Sequence, residues 1–297
     1  MTRIMVGVDS GGCYAPTINL IDRLRFPEPH LGLVHAAPER LPIPPVFRDL
    51  VGIEAQFSEI VSAQGRAALA EATDRACGKN LPCDGRLVKG NAAECLIDEA
   101  RRAKADLIAV NTTHHGFVGQ SFIGSVGRAL VIGSNTSVLV TKGARNPRAV
   151  FRAVFATDHS PFADRCLERF IQMMPQGIQE VHVVSAWQLD DREAAILGMN
   201  LASLGGDADR YVEEGVRALT RNVCAKLDDA GYLALPHVRR GSTNTVLHDA
   251  MLQIGADLMI VGSQGHGAMA RDLVGSVSLH QTMSEVYSVL IVRPREE

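Results

Sequence analysis

The residues best equipped for chemistry in this chain are glycines rather than acids, bases or nucleophiles. The run Gly262-Ser263-Gln264-Gly265-His266-Gly267 is followed by Gly275-Ser276-Val277-Ser278. Glycine lets the backbone turn tightly and bring its amides up to a ligand with no Cβ in the way. Where such a run opens a helix, unpaired N–H groups and the helix dipole attract an anion. The hydroxyls of Ser276 and Ser278 add donors, and His266 lies within reach of a phosphate held there. Asp158 follows an earlier strand-like run, where its carboxylate can accept hydrogen bonds from a ribose or a base. With no ligand, the same glycines make a tight turn, Asp158 caps the helix that begins near Pro161, and His266 is a solvated loop residue. No Gly-x4-Gly-Lys-Ser/Thr run is present, so the pattern is not that of a P-loop NTPase.

The elements around these residues alternate. Positions 153–157 form a short apolar run with β-branched content. Positions 161–174 read as a helix with Pro161 in its first turn, and 180–186 as a second strand. Tyr211, Val212, Val216, Leu219, Val223 and Leu227 recur at helical spacing over 207–230, and Gly231 stops that helix. A short strand is expected at 237–239. A helix capped by Ser242 follows, with Val246, Leu247, Ala250, Met251 and Ile254 on its apolar face and Gly255 at its end. Leu258–Val261 reads as a buried strand, 276–285 as a further helix, and Val289–Val292 as the closing strand. Strands separated by helices need crossover connections, hence a parallel sheet covered on both faces. In such a sheet ligands sit outside the carboxyl ends of the strands, which is where Asp158 and the glycine run fall.

The chain then repeats itself. Ala105-Asp106-Leu107-Ile108-Ala109-Val110 matches Ala256-Asp257-Leu258-Met259-Ile260-Val261, Gly124-Ser125-Val126 matches Gly275-Ser276-Val277, and Ser137-Val138-Leu139-Val140 matches Ser288-Val289-Leu290-Ile291, each pair 151 residues apart. At the start, Asp9 corresponds to Asp158 at a spacing of 149. A period this long is a domain duplication rather than a solenoid. Gly143, Asn146 and Pro147 mark the boundary. The fold class expected is therefore α/β, two tandem doubly wound parallel-sheet domains of Rossmann-like architecture, over 1–146 and 147–297. In the first copy Asn111 and His114 replace the first two glycines of the loop, while Asp9, Gly124 and Ser125 remain. That copy is expected to bind nucleotide weakly, to bind another small ligand, or to serve in packing. A metal site at His114 and His115 is the other reading of that pair. Asp9-Ser10-Gly11-Gly12 reads as a strand-to-helix turn. The Pro-rich stretch 38–45 reads as a surface loop, with a lid over the neighbouring site as the alternative.

The spacing Gly262-x2-Gly265-x9-Gly275-Ser276, with Asp158 and the closing strand, resembles the ATP-binding signature of the universal stress protein family, over nearly the whole chain and twice. The resemblance implies an adenine nucleotide alpha-hydrolase-like fold and a bound ATP, ADP or AMP, with Mg²⁺ carried by the phosphates. It implies that Asp158 contacts the nucleoside, and that the strand end at Ser185 and Ala186 meets adenine through the backbone. Gly262 and Gly265 would line ribose and phosphates, and Gly275, Ser276, Val277 and Ser278 would hold the phosphates. Asp9, Gly124 and Ser125 are the weaker counterparts. It also points to an intramolecular pseudo-dimer through the closing strands, and to a homodimer as a further step.

Composition restricts the rest. With 297 residues, 46% hydrophobic and 21% charged, the chain has the make-up of a globular protein of two ordinary domains. A net charge of −3 gives no footprint for nucleic acid or an anionic membrane. No signal peptide and no run of membrane-spanning length is apparent, so the expected compartment is the cytoplasm. Six cysteines, Cys13, Cys77, Cys83, Cys95, Cys166 and Cys224, contain no Cys-x-x-Cys pair and are expected as buried thiols, with a metal or redox role for Cys77 and Cys83 as the alternative. The functional expectation is a nucleotide-binding regulatory protein of stress responses with no catalytic residue. A slow ATP hydrolase using Asp158 and His266, and a nucleotide-free dimerising scaffold, are the alternatives.

Overall fold

The computed structural model describes residues 1–39, 52–112, 124–143, 149–189, 191–202, 207–264 and 274–295. Gly265, His266, His114 and His115 lie outside the described residues, as do most of the Pro-rich stretch and the expected boundary.

Two compact units are present. In the first, β1 (Thr2–Gly7), α1 (Ala15–Leu24), β2 (Pro29–Ala37), α2 (Ile53–Cys77), β3 (Cys83–Lys89), α3 (Ala92–Ala103), β4 (Leu107–Asn111), α4 (Ser125–Gly133) and β5 (Ser137–Thr141) follow one another. The strands lie in the order β3-β2-β1-β4-β5, and all four pairings are parallel. The second unit holds β6 (Arg152–Ala156), α5 (Pro161–Met173), β7 (Glu180–Trp187), α6 (Asp191–Ala202), α7 (Ala208–Asp229), β8 (Leu233–Arg240), α8 (Thr243–Ile254), β9 (Leu258–Gly262), α9 (Ser276–Ser284) and β10 (Ser288–Val292). Its order, β8-β7-β6-β9-β10, is again parallel throughout. This is the α/β architecture expected, built twice.

The central strands explain the apolar runs. Leu107, Ile108 and Ala109 of β4 and Leu258, Met259 and Ile260 of β9 are fully buried, because helices cover both faces of the sheet. Helix ends follow local chemistry. Asn91 accepts from the amides of Ala93 and Glu94 to cap α3, Asp207 accepts from Asp209 to cap α7, and Gly255 ends α8 in the left-handed conformation at φ 66°.

Three expectations need correction. Ser242 stands at the N-cap of α8 but makes no side-chain cap bond; its hydroxyl pairs with that of Thr245 at 2.8 Å. The strand expected at 237–239 runs from Leu233 to Arg240. Pro236 disguises it, since proline donates no ladder hydrogen bond, but β8 is an edge strand of its unit, where proline is tolerated. The cysteines are not uniformly buried: Cys166 and Cys224 are, Cys13, Cys83 and Cys95 are half-buried, and Cys77 is exposed. In addition, α6 is a helix that the residue spacing does not signal.

Candidate functional site

In each unit the strand order reverses between the first and fourth strands. The chain leaves β1 toward β2 and returns beyond it to β4, so the loops after β1 and β4 part and leave a crevice at the carboxyl ends. In the first unit this crevice is a cavity of about 430 Å³. Gly7 to Ser10 after β1, Val34 to Ala36 on β2, Val110 and Asn111 of β4, and Gly124 to Gly127 at the start of α4 line it, with Val61 and Gln64 of α2 opposite.

Each wall has a physical reason. Asp9 is half-buried, and its Oδ2 accepts from the Gly11 amide at 3.0 Å, while Gly12 at φ 75° turns the chain into α1. The Val8 amide donates to Val34 O at 2.9 Å and carries the β1–β2 ladder one residue further. His35 is buried, and its Nδ1 lies 2.8 Å from the Val8 carbonyl. A carbonyl only accepts, so Nδ1 carries a proton. The imidazole lies so close to α2 that a Cβ at Gly65 would stand 2.6 Å from His35 Cδ2. Asn111 Nδ2 donates to Thr112 O at 3.1 Å, whereas Asn111 Oδ1 is buried with no partner among the described residues. Gly124 is the N-cap of α4, and its carbonyl accepts from the Arg128 amide. The first-turn amides of that helix have no partner within the helix.

The corresponding place in the second unit is occupied differently. Asp158 Oδ1 accepts from the Ser160 amide at 3.0 Å and from the Ser160 hydroxyl at 2.7 Å. Ser160 Oγ in turn accepts from Ala163 N at 3.1 Å and so caps α5. Between them His159 adopts φ 59°, uncommon for a residue with a Cβ. Its Nε2 lies 2.9 Å from Ser185 Oγ and 3.3 Å from Thr220 Oγ1, and these two buried hydroxyls are 2.9 Å apart. The Gly275 amide donates to Ser263 O at 2.7 Å, and the buried Ser278 hydroxyl donates to Gly262 O. Ser276 is exposed and Val277 half-buried at the start of α9. A Cβ at Gly262 would meet Cys166 Sγ at 3.1 Å, a tight approach. Burial pushes the Cys166 thiol up to about 12.

The structure therefore brings Asp9, Gly124 and Ser125 together around one cavity. It places Asp158, Ser185, Ala186, Gly262, Gly275, Ser276, Val277 and Ser278 at one end of the second sheet, with several of their polar groups turned inward. His35, Asn111 and His159 are the residues that reading the sequence passes over as contributors. The ladder registers carry the missing signal for His35: Gly7 pairs with Val34 and Ala156 with Val184, so His35 and Ser185 are equivalent. Among the described residues no group of three or more His, Cys, Asp or Glu side chains is arranged to hold a metal ion, and no helix is long and apolar enough to cross a membrane.

The model of the family described as universal stress proteins matches residues 1–142 and again 150–293. The chain belongs to the universal stress protein family. Among solved structures, it is similar to a universal stress protein from Archaeoglobus fulgidus DSM 4304, at 16% identity and TM-score 0.68 over 99% of this chain and 98% of that one. It is also similar to a protein described as a putative universal stress protein from Pseudomonas aeruginosa UCBPP-PA14, at 14% identity and TM-score 0.64 over 99% of this chain and 94% of the other. At these identities the likeness establishes the fold, a tandem two-domain member of the family. No curated protein matches the sequence.

Proposed function

We propose that this tandem universal stress protein binds adenine nucleotide and acts as a regulatory binding protein rather than a catalyst. The observation that carries the reading is the cavity at the strand-order reversal of the first unit, with Asp9 on one side and the N-terminus of α4 on the other. Its volume of about 430 Å³ is in the range of small-molecule sites. In this reading Asp9 accepts from the ribose hydroxyls, and the unpartnered Asn111 Oδ1 accepts a further ligand donor. Gly124, Ser125 and the amides after them hold the phosphates, which bring Mg²⁺ with them.

Asp158, Ser185, Ala186, Gly262, Gly265, His266 and Gly275 to Ser278 form the second site of the proposal. That site takes nucleotide only when His159 leaves Ser185 and Thr220. In this reading the first unit is the preferred site, the reverse of the order expected from the glycine count. Family membership and the repeated Gly-Ser helix start support a shared ligand class for the two units.

The test is mass spectrometry of small molecules released on denaturing the purified chain, followed by calorimetric titration with ATP, ADP and AMP in the presence of Mg²⁺. One adenine nucleotide per chain, weakened about tenfold by Asp9→Ala, a loss of about 1.4 kcal/mol, is the expected result. No released nucleotide and no binding heat with any of the three would overturn the proposal.

A further inference from the structure

Away from both crevices, Cys77 and Cys83 approach each other at the outer edge of the first unit. Cys77 is the last residue of α2 and Cys83 the first of β3. The intervening turn is tied down by its own backbone: Asn80 N donates to Cys77 O and Leu81 N to Ala76 O, while Leu31 N bonds to Pro82 O. The Lys79 ammonium further ties it to Asp22 of α1 at 2.8 Å.

Helix and strand periodicity put the two thiols on facing surfaces. A Cβ at Gly85 would touch Leu69 and Thr73 of α2. Cys83, two residues earlier, points to the same side of the sheet, and Cys77, four residues after Thr73, lies on the same stripe of the helix. The Cys83 side chain accordingly meets both Cys77 and Thr73. Cys77 is exposed and Cys83 half-buried, so an oxidant in solution reaches the first more readily.

We propose that Cys77 and Cys83 form a reversible intramolecular disulfide when the protein meets a peroxide. The exposed Cys77 thiolate attacks one peroxide oxygen, the O–O bond breaks, and Cys77 becomes a sulfenic acid as hydroxide leaves and takes up a proton to give water. Cys83 sulfur then attacks the Cys77 sulfur. The S–S bond forms, the S–O bond breaks, and hydroxide leaves to take up the Cys83 proton as a second water. Two thiols are oxidised by two electrons, and one hydrogen peroxide is reduced to two waters. A dithiol reductant reverses the change by thiol–disulfide exchange. Burial first, then the neighbouring Cys77 and Asp84, push the Cys83 thiol up, which suits it to resolve rather than to initiate. The bond would fasten edge strand β3 to the C-terminal turn of α2. It is independent of nucleotide binding.

The experiment treats the whole reduced protein with a small molar excess of hydrogen peroxide, then counts thiols by alkylation in denaturant and maps tryptic peptides without reduction. Alkylatable thiols should fall from six to four and return to six with dithiothreitol. Because Lys79 lies between the two cysteines, Ala76–Lys79 should appear joined to the peptide ending at Arg86. In Cys83→Ser, Cys77 should stop at the sulfenic acid and be trapped by dimedone. The proposal is overturned if Cys77 and Cys83 both remain alkylatable after oxidation, if Cys77 instead links two chains, or if it passes to sulfinic acid in the unsubstituted protein with no joined peptide.

Discussion

The two units each place an imidazole near the end of their second strand and supply it from different elements. In the first, His35 grows from β2 itself and leans back on Gly65, leaving the crevice open. In the second, the strand position is Ser185, the helix supplies Thr220, and His159 enters from the loop after β6 to bond both hydroxyls. The same ring thus forms a wall in one copy and sits against the strand end in the other. In the first unit Asn111, which stands in place of the first loop glycine, lines the cavity.

The sharpest way to break the contrast is Gly65→Val. The added side chain would drive His35 off α2 and into the crevice. A cost of about 1–3 kcal/mol in urea unfolding is expected, with nucleotide binding by the first unit lost in calorimetry. Unchanged binding would mean that the position of His35 does not decide access.

The aspartates should separate next. Asp158→Ala removes the acceptor that holds Ser160 and should cost about 1 kcal/mol of stability by denaturant melting. Asp9→Ala should change stability by less than about 0.5 kcal/mol while weakening nucleotide. Equal losses of stability for the two would erase the distinction between a cap and a ligand contact.

Conversely, His159→Gly should open the second unit. Glycine relieves a left-handed backbone worth about 1–2 kcal/mol and gives up hydrogen bonds of similar net value, so melting should hardly move. The expected gain is a second nucleotide per chain in calorimetry. A stoichiometry that stays at one would show that something other than the imidazole keeps the site closed.

A smaller contrast is set by pH. In the second unit His182 Nδ1 lies 2.9 Å from His237 Nε2, and His182 Nε2 lies 3.3 Å from Glu180, which also binds Arg152. Burial lowers both histidines below the ordinary value of 6.5, with Arg152 adding to this for His182, and His182 and Arg239 adding to it for His237. The folded state thus resists protons that the unfolded chain accepts. This contribution to stability is present above pH 6.5 and is lost as pH falls below it. Hydrogen exchange on either side of that pH should show β7 and β8 opening in acid. An equal response in β2 and β3 would remove the histidine pair as the cause.

Much of this was legible before any coordinates. Leu258–Val261 reads as a buried strand, and Leu107–Val110 as its repeat, because burial on both faces demands an unbroken apolar run. Gly231 and Gly255 announce helix ends through their own backbone chemistry. The first half of β8 was hidden because Pro236 is acceptable only at an edge, and edge position is a property of strand order. Asp9, Asp158 and the Gly-Ser helix starts could be located as candidates because strand ends are where such folds keep ligands.

By itself the amino-acid order determined the duplication, the α/β alternation and the family, since these rest on local periodicity and on spacing that a repeat preserves. Only the tertiary structure decided which polar groups line a cavity and which are spent on the protein itself. His35 meets Gly65 and His159 meets Thr220 across stretches of chain that no local pattern links, and what each ring touches depends on what the facing helix presents there.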